Sequence, residues 1–153
     1  MTEYSQVEVE HRIRKSLQTK KRAHAERKFQ NFLERTDTKL TKEQKKALKS
    51  NATVFVCDCA KEERALLYAY RFLWLLFSGV DANKILTIAE TEESARELEK
   101  AINELVLLAT DEDERFRELV SEGLPKHSIF PTDFSEQNAD FYKENFEHLI
   151  FKK

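Results

Sequence analysis

The sequence predicts an α/β fold: a single helix-rich unit with a small, about three-stranded parallel sheet, preceded by a helical arm. Three observations predict it. Two glycines and two prolines in 153 residues leave little room for turns that need positive φ, which favours long helices. The runs NATVFVCDC and KILTIAE are short, apolar and bounded by polar residues, as strands are. Amphipathic stretches of helical period alternate with them, the pattern of a layered parallel arrangement. With so much helix, a mainly α fold is the alternative.

Helices and strands alternate along the chain. Over residues 5–35, Ile13, Leu17, Ala25, Phe29 and Leu33 recur about four apart on one helical face. Residues 18–24, QTKKRAH, interrupt that face with almost nothing to bury, so a solvated helix or a bend between two helices fits there. Thr41 reads as an N-cap with Gln44 as its capping-box partner, opening a short helix to about Lys49. Residues 53–58 read as a strand. A strong helix comes next, with Leu66, Leu67, Tyr70, Leu73, Trp74 and Phe77 as its apolar face and Gly79 at the C′ position. Residues 84–90 read as a second strand.

The helix after it faces Ala95, Leu98, Ile102, Leu105 and Leu108 inward. DEDERFRELVSEG gives another helix, ended by Gly123 and Pro125. HSIFPTDF holds a candidate third strand, which Pro131 restricts to a short or edge position. SEQNADFYKENFEHLIF reads as a closing helix with Ser135 as its cap. The expected domains are a basic arm at 1–38 and an α/β domain at 39–153.

The chain is 41% hydrophobic and 35% charged, a balance that fits a globular protein rather than a disordered one. No apolar run approaches the roughly 20 residues of a membrane span. The opening MTEYSQVEVEH is polar and acidic, unlike a secretory signal. Cys57 and Cys59 share one strand face, but no second Cys/His pair completes a zinc site. Buried reduced thiols and a cytoplasmic setting are the expectation. The four histidines form no metal spacing and no nucleophile–base pair.

Charge is unevenly spread. Residues 1–50 hold 14 Lys+Arg against 7 Asp+Glu, and the remaining 103 hold 12 against 21. The basic side is densest over 11–28, with Arg12, Arg14, Lys15, Lys20, Lys21, Arg22, Arg27 and Lys28. Such a cluster fits contact with nucleic-acid phosphates or with an acidic protein surface, of this chain, of another copy or of a partner. The middle of the segment has no aromatic residue, so base stacking is not expected there. The aromatics Tyr68, Tyr70, Phe72, Trp74 and Phe77 occupy more than one face of their helix. Either the N-terminal helices or an oligomer interface covers the excess.

The order of parts resembles the opening of UvrD/PcrA/Rep-type superfamily 1 helicases. LTKEQKKAL (40–48) resembles the Q motif, with Gln44 on its glutamine. VFVCDCAKEERALLYAYRFLWLLFSGVDANKIL (54–86) resembles the family's next strand, phosphate loop and helix, with Arg71 on that helix's arginine. TIAETEESARELEKAI (87–102) resembles motif Ia and its helix, and SIFPTDFSEQNADFYKENFEHL (128–149) resembles motif Ib. The resemblance implies a RecA-like unit with a vestigial nucleotide site at Gln44, Arg64 and Arg71.

The departures fall on the chemistry. Where the family has phosphate-loop glycines, this chain has Cys59, Lys61 and Glu63. Arg64 and Ala65 stand where the family has the phosphate-binding lysine and the Mg²⁺-binding hydroxyl. Glycine matters there because it lets consecutive backbone N–H groups turn onto the anion. Asp58, Glu62 and Glu63 add repulsion, about 4 kcal/mol for two unit charges about 4 Å apart at an effective dielectric of about 20. Glu90 and Glu92 place like charge where the family touches single-stranded DNA. The quoted likeness ends before the Walker B acidic pair and a second motor domain.

The expectation is therefore a non-catalytic, helicase-like binding or regulatory protein without ATP hydrolysis, cofactor or metal. Its partners would be nucleic acid or a protein such as a helicase or nuclease subunit. Gln44 either reads adenine, as in the family, or serves only the capping box. Arg64 either replaces the phosphate lysine or forms a surface ion pair. A mainly helical oligomerising protein unrelated to nucleic acid is the alternative, and a nucleotide-binding helicase fragment ranks third.

Overall fold

The computed structural model describes residues 6–52, 54–55, 64–89, 91–122, 128–129 and 146–152, with side chains in the first helix described from residue 20. Five α-helices and four strands are found there: α1 Gln6–Arg35, α2 Lys42–Leu48, β1 Val54–Phe55, α3 Arg64–Phe77, β2 Ile85–Ala89, α4 Glu92–Leu108, α5 Arg115–Glu122, β3 Ser128–Ile129 and β4 His148–Lys152. A short 3₁₀ turn at Ala82–Lys84 leads into β2, and a second at Ala109–Asp111 closes α4. No described helix is long and apolar enough to cross a membrane.

The fold is mixed α/β and helix-rich, as the sequence predicts. The sheet has four strands in the order β1-β4-β2-β3, all parallel. Two expectations are corrected. The sheet has one strand more than the expected three. The closing helix drawn over 135–151 is not what residues 148–152 form: they are β4, which fills the slot between β1 and β2. In register, Ile150 lies between Phe55 on β1 and Thr87 on β2. A short run such as HLIFK is equally compatible with strand and helix until a sheet offers it two unpaired edges. The third strand expected within 128–134 is present as Ser128–Ile129.

Strand β2 is buried at all five positions, as a strand covered on both faces must be, and ILTIA has the near-continuous apolar character this requires. Phe55, Ile85 and Ile150 join the main core. Leu86, Ile88 and Leu149, on alternate positions, are buried as well.

The centre of the molecule is α3. Every residue from Leu67 to Phe77 is buried, so the helix is enclosed on all sides rather than amphipathic. It packs on β4, on α2 and on α4. Its remaining side is covered by α1. Phe29 meets Trp74 edge-on at 5.6 Å and Phe77 at 6.1 Å, and Phe32 meets Tyr70 at 6.4 Å. Of the two covers expected for the surplus aromatics, the N-terminal helix is the one found. Leu66 is the exception on the expected apolar face of α3, at 48% exposed.

Helix α1 is continuous across 18–24, and residues 20–24 are exposed. The solvated helix, not the bend, is the outcome. At about 1.5 Å per residue it is about 45 Å long. Its second half belongs to the main core through Ala25, Phe29, Phe32 and Leu33. The boundary drawn at residue 38 therefore does not separate two cores. The helix ends with Asp37 at φ 51°, where the Thr38 N–H reaches the Leu33 carbonyl at 2.8 Å and the Asp37 N–H the Glu34 carbonyl at 3.2 Å. Helix α3 ends in the same way. Gly79 has φ 91°, the Val80 N–H donates to Leu75 O and the Gly79 N–H to Leu76 O, both at 3.0 Å. This is the C′ glycine the sequence predicts.

In α4 the inward residues are Ala95, Leu98, Ile102, Leu105 and Val106. Leu108, expected inward, is 50% exposed. The 3₁₀ turn rotates the chain so that Ala109 takes the buried position instead.

Candidate functional site

Two groups of residues carry functional expectations: the basic segment of α1, and the three positions that the helicase resemblance assigns to a nucleotide. One residue of each group, Arg22 and Arg71, reaches the connection from α2 to β1.

The basic segment divides by what each cation touches. Lys28 donates to Asp113 Oδ2 at 3.1 Å. Further along, Arg35 pairs with Glu112 through Nε and Nη2 and with Asp111 at 3.7 Å. This side of α1 lies against the acidic turn between α4 and α5. Part of the basic arm is thus neutralised within the chain. Arg22, on the other side, donates to Asn51 Oδ1 at 3.2 Å and to the Lys49 carbonyl at 3.3 Å. It also lies 3.6 Å from Glu26. Lys20, Lys21 and Arg27 are exposed and form no ion pair among the described residues. Arg12, Arg14 and Lys15 lie on the α1 backbone, and their side chains are outside the described residues.

A second basic stripe, outside the segment 11–28, lies on α2. Lys42, Lys45, Lys46 and Lys49 recur at i, i+3, i+4 and i+7, which puts four cations on one helical face. The spacing alone marks the stripe, on the same short helix whose capping box and helicase resemblance rest on Gln44. The stripe ends against α1 and α3: the Lys49 ammonium sits 5.6 Å above the Trp74 ring and 5.9 Å above Phe29. Leu48 fixes the orientation by burying the adjacent face of α2 in the core. Arg22, bonded to the Lys49 carbonyl, joins the two helices into one basic band.

Gln44 and Arg71 are both engaged within the chain. Thr41 N–H donates to Gln44 Oε1 at 2.9 Å and Gln44 N–H to Thr41 Oγ1 at 3.1 Å. This is a complete capping box, so the structural role open to Gln44 is the one it fills here. Arg71 is 1% exposed. Its Nη1 donates to the carbonyls of Leu48 and Ser50, the latter at 2.8 Å, and Nη2 to Ala52 O at 3.0 Å. The guanidinium also lies 5.3 Å above the Phe55 ring. One arginine therefore holds the whole strand approach from α2 to β1. Burial pushes its pKa down to about 10, so it stays cationic at neutral pH. Among the described residues its Nε has no hydrogen-bond partner, nor has Nδ1 of His148.

Arg64 begins α3, and its side chain lies outside the described residues, as do residues 56–63, Cys57 and Cys59 among them. Among the described residues no cluster of His, Cys, Asp or Glu is placed to hold a metal. An open cavity of about 360 Å³ lies between the end of α3 and α5, floored by Leu76, Val80, Phe116 and Leu119. None of the sequence-predicted site residues lines it.

Compared with known proteins, the chain matches no family model, no curated protein and no solved structure.

Proposed function

We propose that this chain is a non-catalytic, helicase-like binding protein that contacts nucleic-acid phosphates through the outer side of α1, without ATP hydrolysis. The observation that carries the proposal is the set Lys20, Lys21 and Arg27: exposed, unpaired among the described residues, and mounted on a helix anchored by Phe29 and Phe32. Cations held on a rigid element with no internal counter-charge attract a polyanion and release its counterions. The engagement of Gln44 in the capping box of α2 and of Arg71 by the α2–β1 connection supports the absence of nucleotide chemistry. So does the sequence of the phosphate-loop position. A RecA-like ancestry, a cytoplasmic setting and a regulatory role beside a helicase or nuclease subunit complete the reading.

Fluorescence anisotropy with labelled single- and double-stranded DNA at several salt concentrations tests it. Binding with a steep log–log salt slope, reduced when Lys20, Lys21 and Arg27 become Ala, is the expected result. No binding at low salt would overturn the nucleic-acid reading and leave a protein partner.

A second reading rests on Leu107 and Leu108, adjacent and 57% and 50% exposed at the end of α4. Two neighbouring exposed leucines are a foothold for self-association. Sedimentation of the wild type beside a Leu107→Lys, Leu108→Lys variant tests that reading. An unchanged sedimentation coefficient would remove it.

A further inference from the structure

We infer that the lysine stripe of α2, continued by Arg22 of α1, is a rail for the phosphate backbone of a duplex nucleic acid, read without regard to sequence. The inference rests on the nucleic-acid reading above and adds the element and the class of ligand.

Three features lead to it. The first is spacing. Lys42, Lys45 and Lys46 lie on one face of α2, and Lys49 is its C-cap; the four span about 10 Å at about 1.5 Å per residue. A strand of a double helix presents a phosphate about every 3.4 Å along the axis, so the stripe covers about three. The second is fixation. The capping box at Thr41 and Gln44 sets one end of α2. At the other, Arg71 holds the carbonyls of Leu48 and Ser50. The rail is therefore ordered before a ligand arrives.

The third feature is what the band lacks. The rings beside it, Phe29 and Trp74, are buried beneath the Lys49 ammonium. No aromatic residue is among the exposed large apolar side chains of the described residues. Unpaired bases are held by stacking on exposed rings, and nothing of that kind borders the stripe among the described residues. Cations in a row without rings suit a backbone whose bases are already paired.

The test is anisotropy with a labelled 20-base-pair DNA duplex, an RNA duplex of the same sequence, and the DNA single strand, each across a salt series. Wild type is compared with Lys42→Ala, Lys45→Ala, Lys46→Ala. Lys49 is left intact because it packs on the core rings. Alanine favours helix, and a second variant with Gln at the three positions removes the charge while keeping a long polar side chain; circular dichroism checks both. The expected result is tighter binding of one or both duplexes than of the single strand. The duplex salt slope should fall by about three units in both variants, at about 0.9 per lost phosphate contact. Tighter single-strand binding, or a duplex slope unchanged in these variants but reduced by Lys20→Ala, Lys21→Ala, Arg27→Ala, would overturn the rail and leave the α1 reading standing. No binding of any of the three nucleic acids by the wild type would overturn both.

Discussion

Lys28 and Asp113, 85 residues apart in the chain, are joined by an ion pair of 3.1 Å. The pair fastens α1 to the turn before α5, and Asp113 is almost wholly buried in making it. Its Oδ1 accepts the Arg115 N–H at 3.1 Å, and the Arg115 guanidinium grips the same carboxylate. Burial pushes the Asp113 pKa up. The hydrogen bonds from Arg115 and Lys28 outweigh burial and hold it down at about 2. One carboxylate thus opens α5, neutralises part of the basic helix and closes the long-range contact.

Replacing Asp113 by Ala should lower stability by about 2–4 kcal/mol, since it uncaps α5 and strands the half-buried Lys28 ammonium. Urea unfolding measures this. The sign with pH comes from a folded pKa below the ordinary 3.8. The contribution is present above about pH 4 and is lost as pH falls toward about 2. The Asp113→Asn variant should lack that acid limb; a limb as steep as in wild type would refute the assignment.

Arg71 carries a second linkage. Arg71→Met would remove the donor from three carbonyls, of which that of Leu48 belongs to a buried residue, at an expected cost of about 1–3 kcal/mol. Arg71→Lys should cost less, since an ammonium can satisfy part of the set. His148 reports on the same charge. Burial first, and then Arg71, push its pKa below the ordinary 6.5, against smaller upward effects of Glu147 and the Ala52 backbone. The unfolded chain therefore takes up the proton first. Stability should be full above about pH 6.5 and decline below it. His148→Gln should flatten that decline, and Arg71→Met should reduce it. Urea midpoints at pH 7.5 and 5.0 decide; equal slopes in all three proteins would exclude the coupling.

Much of this arrangement was legible in the sequence, for reasons that differ by element. The capping box of α2, the C′ glycine of α3 and the inward face of α4 as far as Leu105 are local, and local chemistry wrote them. Strand β4 was not legible, because what makes HLIFK a strand is the gap between β1 and β2, supplied by residues far away in the chain. Leu108 was misjudged because a 3₁₀ turn changed the rotation one residue later. Asp37 gave no warning of its positive φ, since glycine is the usual marker of that turn. At the candidate site, the cations were countable but their availability was not. That Lys28 is spent on Asp113 while Lys20 remains exposed depends on the packing of α1, and the stripe on α2 acquires its meaning from Arg22 and Lys49 meeting across two helices.

Phe29 is the residue on which the seating of α1 depends. It is fully buried and meets both Trp74 and Phe77 edge-on. Phe29→Ala should cost about 3–5 kcal/mol. Trp74 is the sole tryptophan, so its emission reads the same event: a red shift in native buffer as water reaches the ring. An unshifted spectrum with unchanged stability would mean that α1 is not docked on α3.

Ile150 tests the sheet order. Its backbone lies between β1 and β2, opposite Phe55 and Thr87, and its side chain is fully buried. Proline there removes a ladder donor from a strand paired on both sides, a position proline does not occupy in sheets. Ile150→Pro should abolish cooperative urea unfolding, while Ile150→Val, which deletes one methylene, should cost only about 0.5–1.5 kcal/mol. If residues 148–152 were instead the last turn of a terminal helix, proline would fray that turn and leave the transition cooperative. Native-state hydrogen exchange supplies the independent reading: the amides of β4 should be among the slowest in the chain, and fast exchange there would remove β4 from the centre of the sheet.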